Sequence, residues 1–174
     1  MTDSKVKKLV LAAMFAALAT VMTMVIQVPS PMQGYVNLGD CAVLLAAWVL
    51  GPLYGGAAAG IGSMLADVIS SYTHYAPGTL IIKFTMAFVA GLVFKAVKSD
   101  RPARLLGAQV LGGVAAEAIM VLGYFAYCSL WLGKGMAAAA SIPGNIMQGI
   151  FGLVSAIAVY AVLDKSHALR LVKT

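Results

Sequence analysis

The sequence predicts an all-α integral membrane protein of six transmembrane helices with both termini in the cytoplasm. Three observations predict it. Of the 174 residues, 61% are hydrophobic and only 10% are charged, where a soluble domain carries about 25% charge, and the mean hydropathy is +0.93. Prolines, glycines and polar clusters cut the apolar sequence into six segments, where this length has room for five or six at about 20 residues per span. Ten of the twelve Lys and Arg residues fall into three clusters: Lys5, Lys7 and Lys8; Lys95, Lys98, Arg101 and Arg104; Lys165, Arg170 and Lys173. Cytoplasmic loops and tails carry such clusters. A net charge of +6 segregated in this way argues against a nucleic-acid surface.

The elements follow in order, within one domain spanning 1–174. Helix one covers about 6–28 and stops at Pro29 and Pro31. Its apolar run is longer than a signal-peptide core and no A-x-A-like cleavage site follows, so it is expected to be retained. A polar loop leads to a shorter segment, 38–50, which Gly51-Pro52 turns back into a third helix at 53–71. After a loop at Tyr72–Pro77, helix four spans 78–97 and carries Lys83. The basic loop Lys98–Arg104 precedes helix five at 105–132, long enough that it has to tilt, kink or project. The small-residue connection Gly133–Pro143 ends at helix six, 144–163. An even number of spans puts all three basic clusters on one side. Lys134 is then the one Lys or Arg in the outer loops.

Small residues recur every four positions in two helices. Ala12, Ala16 and Thr20 form one row on helix one, and Ala13 and Ala17 a second; helix three has three rows, including Gly55-Ala59-Ser63 and Ala58-Gly62-Ala66. Such rows let helices approach closely in lipid. Internal packing accounts for helix three, whereas the rows of helix one equally suit the docking of another subunit.

Ionisable groups in a membrane helix cost roughly 2.5–3.5 kcal/mol each, so Asp40, Asp67, Lys83 and Glu117 need a reason. Glu117 and Tyr124 are seven apart and share a helix face; Asn145 and Gln148 are three apart and share another. With Asn37, Asp40, Tyr75 and Lys83 these residues form the candidate binding set, converging toward the outer half of the membrane, with Glu117 deeper. Structural roles compete. Lys83 can pair with Asp67 or Glu117, Asp40 can cap helix two, Asn145 can cap helix six, and Asp67 reads as a structural partner. Gln148 and Glu117 have no local backbone explanation. Two cysteines, Cys41 and Cys128, have no ligand partners nearby. No phosphate-binding glycine loop, metal-ligand spacing or nucleophile motif is present, so neither catalysis nor a cofactor is expected.

Several stretches resemble the substrate-binding S components of energy-coupling factor (ECF) vitamin transporters. They are Gly34-Tyr35-Val36-Asn37-Leu38-Gly39-Asp40, Leu50-Gly51-Pro52, Gly62-Ser63-Met64-Leu65-Ala66-Asp67, and Tyr75-Ala76-Pro77-Gly78-Thr79-Leu80-Ile81-Ile82-Lys83. Further on come Glu117 with Gly123-Tyr124-Phe125, and Pro143-Gly144-Asn145-Ile146-Met147-Gln148-Gly149. The resemblance implies a prokaryotic plasma-membrane protein that captures a vitamin or precursor from outside. Its partners would be a transmembrane T component and two cytoplasmic ATPases, which use the ATP. It also implies that Ala12, Ala13, Ala16 and Ala17 dock the T component. The branch it resembles takes hydroxymethylpyrimidine or pyridoxine-like compounds, with riboflavin next. Glu117 would take a ring N–H or amino group, Asn145 and Gln148 ring heteroatoms, and Tyr35, Tyr75 or Tyr124 would stack. A stand-alone secondary transporter with Asp67, Lys83 and Glu117 as an ion relay is the alternative.

Overall fold

The computed structural model describes residues 2–30, 33–99 and 101–171, so Pro31 and Lys173 lie outside the described residues. Six α-helices dominate: α1 (Thr2–Val25), α2 (Gly39–Leu50), α3 (Pro52–Ile69), α4 (Ala76–Val97), α5 (Pro102–Ala126) and α6 (Ile142–Lys165). Among the described residues, four stretches are long and apolar enough to cross a membrane: Lys5–Val25, Ala76–Val97, Pro102–Trp131 and Gly135–Lys165. At 12 residues, α2 is about 18 Å long, well short of a bilayer core of about 30 Å. It is buried without a break from Gly39 to Trp48, because the other helices surround it. A helix apolar on every face belongs in such a position.

Helix one departs from the expected 6–28. It ends at Val25, and Gln27–Pro29 (β1) pairs antiparallel with Tyr35–Asn37 (β2), aligning Val28 with Val36. Pro29 pushes the residue before it toward extended backbone, and Val25, Ile26 and Val28 are β-branched, which favours strand over helix. The hairpin lies over the end of the bundle. Asp40 does not cap α2 as expected: the Asn37 side chain accepts the Gly39 N–H (2.8 Å), an Asx turn that starts the helix. Helix five begins earlier, at Pro102, and its excess length is absorbed by a π-helical turn, Tyr127–Trp131. The small-residue connection after it forms a 3₁₀ helix at Gly135–Ser141. Asn145 falls one turn inside α6, so it does not cap that helix.

The glycines of α3 do the packing expected of them. Gly51 takes φ +81° at the α2–α3 turn. Further along, Gly62 lies directly on the Ala16 backbone of α1, and the Thr20 hydroxyl donates to the Gly62 carbonyl (2.8 Å). Overpacking such a seam costs about 1–3 kcal/mol. Gly62→Val should therefore unfold earlier in detergent titrations. Gly107→Ala, where an added Cβ meets nothing, should not. Equal stability of the two variants would refute the seam.

Beneath these contacts Trp48, Phe94 and Tyr160 form an aromatic cluster, with ring centroids 5.8–6.0 Å apart. It lies near the end where Lys98 and Arg104 meet Asp164 across a shared surface depression. The start of α1 with Lys5, Lys7 and Lys8, the end of α4 with Lys95, the α4–α5 connection and Lys165 at the end of α6 thus lie at one end of the bundle, and the hairpin lies at the other.

Candidate functional site

The hairpin end holds a cavity of about 40 Å³ walled by the hairpin, four helices and the segments that join them. The hairpin contributes Tyr35 and Asn37, the end of α3 contributes Asp67, and the start of α4 contributes Tyr75 and Thr79. Tyr124 and Cys128 come from α5 and its π turn, and Asn145 and Gln148 from the first turns of α6. Of the eight predicted substrate contacts, Asn37, Tyr75, Tyr124, Asn145 and Gln148 meet here. The π turn matters because widening the helix lets Cys128 approach the Tyr75 hydroxyl (3.3 Å), and such turns recur at functional sites.

The walls are aromatic. Tyr35 packs on Tyr72 at 4.7 Å between centroids, and Tyr75 lies between His74 (4.8 Å) and Tyr124 (6.4 Å). Hydroxyls fix the rings: Thr79 and Tyr124 share a hydrogen bond of 3.0 Å, and Tyr127 donates to the His74 carbonyl (2.8 Å). The Tyr35 hydroxyl donates to Asp67 Oδ1 at 2.6 Å. Burial first, and then the Asp67 charge, push the Tyr35 pKa well up, so the phenol stays a donor.

Asp40 and Lys83 lie beneath the cavity as a buried ion pair. The expected partners of Lys83, Asp67 and Glu117, are therefore corrected: α4 reaches Asp40 on the central helix instead. Gln148 donates to Asp40 Oδ2 (2.6 Å) and accepts the Asn37 N–H (2.8 Å). Both ends of its amide are thus committed to tying the hairpin to α2 and α6. Asn145 lines the cavity without a side-chain hydrogen bond among the described residues.

Glu117 is not brought to the cavity. It packs against Gly149 and borders an apolar groove between α5 and α6 with Val121, Ile146 and Ile150. Neither of its carboxyl oxygens is hydrogen-bonded among the described residues. Asp67 bonds Tyr35, Lys83 bonds Asp40, and Glu117 bonds neither, so these groups do not form a hydrogen-bonded series.

Asp67 is the wall residue that sequence reasoning set aside as structural. The missed signal was its position near the last turn of α3, level with the Tyr72–Pro77 loop that supplies Tyr75. Among the described residues there is no cluster of three or more His, Cys, Asp or Glu to hold a metal ion.

The alanine rows of α1 separate. Ala16 packs on Gly62 and Ala12 is half-buried, whereas Ala13 and Ala17 are exposed.

Comparison with known proteins places this arrangement among transporters. A family model for the S component of ECF-type riboflavin transporters matches residues 3–165. An uncharacterized protein in a gap 3' region of Pyrococcus woesei is 40% identical over 136 residues, 78% of this chain and 86% of that one. The thiamine precursor transporter HmpT of Lactococcus lactis subsp. cremoris (strain MG1363) is 26% identical over 172 residues, covering 98% of this chain and 95% of its own. The solved structure of the S component of a bacterial ECF transporter superposes with a TM-score of 0.66 at 24% identity, over 92% of this chain and 97% of that one. That likeness is one of fold.

Proposed function

Because the chain belongs to the family of S components of ECF-type riboflavin transporters, we propose that it captures a small aromatic vitamin or vitamin precursor from outside the cell. Members of the family are membrane transport proteins, not enzymes. The observation that carries the reading is the tyrosine-walled cavity, which lies at the end of the bundle opposite the described residues of the basic clusters. With those clusters in the cytoplasm, both termini are inside and the cavity opens outward. The four longer helices span the membrane, and α2 and α3 complete the set of six. A T component and two ATPases then supply the energy, and the host membrane is a prokaryotic plasma membrane.

Tyr35, Tyr75 and Tyr124 give faces on which a heterocycle can stack, and Asn145 offers both a donor and an acceptor to its rim. A cavity of about 40 Å³ has room for only a few water molecules, each of which needs about 10–15 Å³ on that measure. Any substrate must displace the hairpin or the Tyr72–Tyr75 loop, and a single ring does so at less cost than a tricyclic flavin. Hydroxymethylpyrimidine or a pyridoxine-like compound is therefore favoured over riboflavin.

The test is to purify the chain in detergent, identify any copurified small molecule by mass spectrometry, and measure thermal shifts with these compounds. A stoichiometric pyrimidine or pyridine, with stabilisation by the same compound, is expected. An empty protein that none of the compounds stabilises would refute capture.

A further inference from the structure

We propose that Asp67 sets the substrate's charge class: the cavity selects a neutral or cationic heterocycle bearing an N–H donor and rejects its phosphate ester. The inference rests on the capture reading above and deepens it by assigning the recognition of charge to one side chain.

Asp67 is 4% exposed and lines the cavity. Its two oxygens differ. Oδ1 accepts the Tyr35 hydroxyl at 2.6 Å. Oδ2 is buried and has no hydrogen-bond partner among the described residues. A buried acceptor left unmade costs the full desolvation of that atom, so a ligand that supplies a donor there gains disproportionately.

The neighbouring polar groups cannot take over this role. Lys83 is committed to Asp40, and Gln148 has spent its amide on Asp40 and Asn37. Thr79 shares a hydrogen bond with Tyr124 and lies close to Asp67 without making a hydrogen bond to Oδ2, and the Ser141 hydroxyl donates to the Ala138 carbonyl (2.8 Å). The cavity therefore presents one unmet acceptor of negative charge beside the uncommitted amide of Asn145. An amino or ring N–H group satisfies Oδ2 while its neighbour on the ring meets Asn145. Lys134 sits 5.8 Å from the Tyr75 ring centroid and is not part of the cavity wall. A phosphate would bring like charge against Asp67 and lose its own hydration without a cation in the wall, which is how a site rejects a competitor.

Binding of amino-hydroxymethylpyrimidine, pyridoxine and riboflavin, each beside its monophosphate, should be measured by calorimetry on the detergent-purified full chain and on Asp67→Asn. In the wild type, the best-bound parent compound should exceed its phosphate by about 100-fold. A hydrogen bond to a charged group contributes about 1.5–3 kcal/mol, so Asp67→Asn should weaken that parent compound about 10- to 100-fold and narrow the gap to its phosphate. Equal wild-type affinity for parent and phosphate would overturn the inference without any variant. So would a folded Asp67→Asn, verified by its melting curve, that keeps both affinity and selectivity; either result would leave capture standing. If no compound of the panel bound, capture and this inference would fall together.

Discussion

Lys83→Met is expected to destabilise the protein by about 3–5 kcal/mol, the cost of removing one member of a buried ion pair and leaving its partner charged. Asp40 is fully buried on the central helix and Lys83 is 2% exposed, so water cannot replace the lost ammonium. The effect should reach the cavity as well, because Asp40 also anchors Gln148, and Gln148 holds the Asn37 backbone of the hairpin. Adding Asp40→Asn to Lys83→Met should recover most of the loss, since the amide oxygen can still accept from Gln148 and no charge remains unpaired. Denaturant titration in detergent of the wild type, Lys83→Met, Asp40→Asn and the double variant gives the coupling energy directly. A single variant that loses under 1 kcal/mol, or a double variant no better than the single, would show that the pair is not what closes the cavity floor.

The same pair shows where the sequence stopped being legible. The helices were readable because lipid demands long apolar runs and because Pro29, Gly51-Pro52 and Pro143-Gly144 punctuate them. The hairpin was not. Its strands are three residues long, too short for alternation to register, and Val25–Val28 continues the apolar run of α1. Tyr75, Tyr124, Asn145 and Gln148, which line the cavity, could be singled out because polar and aromatic residues in lipid stand out. Which acid meets Lys83 was out of reach, because nothing local distinguishes Asp40 from Asp67 or Glu117. Glu117 shows the limit of helical phase. It shares a face with Tyr124, but seven residues put it about 10 Å deeper along α5, opposite Gly149, while Tyr124 reaches the cavity. Phase fixes direction, and depth depends on how the neighbouring helices are staggered.

Placing tryptophan at Ala13 or Ala17 is expected to abolish uptake in cells that hold the T component and ATPases, while leaving binding by the purified chain intact. The four alanines of α1 read alike in the sequence, yet the fold gives them different neighbours. Ala16 is pressed against Gly62, and Thr20, one turn on, bonds that glycine's carbonyl. That row is occupied from within. Ala13 and Ala17 face outward, with Val6, Val10 and Val21 exposed beside them. Two small residues one turn apart on an apolar face allow another helix to approach to backbone distance, and an indole there would hold it off. Ala16→Trp should act differently, forcing α1 from α3 and lowering stability before coupling is ever tested. Uptake by each variant, set beside its detergent melting curve and its ligand affinity, separates the two surfaces. Full transport by both Ala13→Trp and Ala17→Trp would mean that the T component docks elsewhere. An Ala16→Trp protein of normal stability that fails only in transport would mean that the docking face includes the row packed on α3.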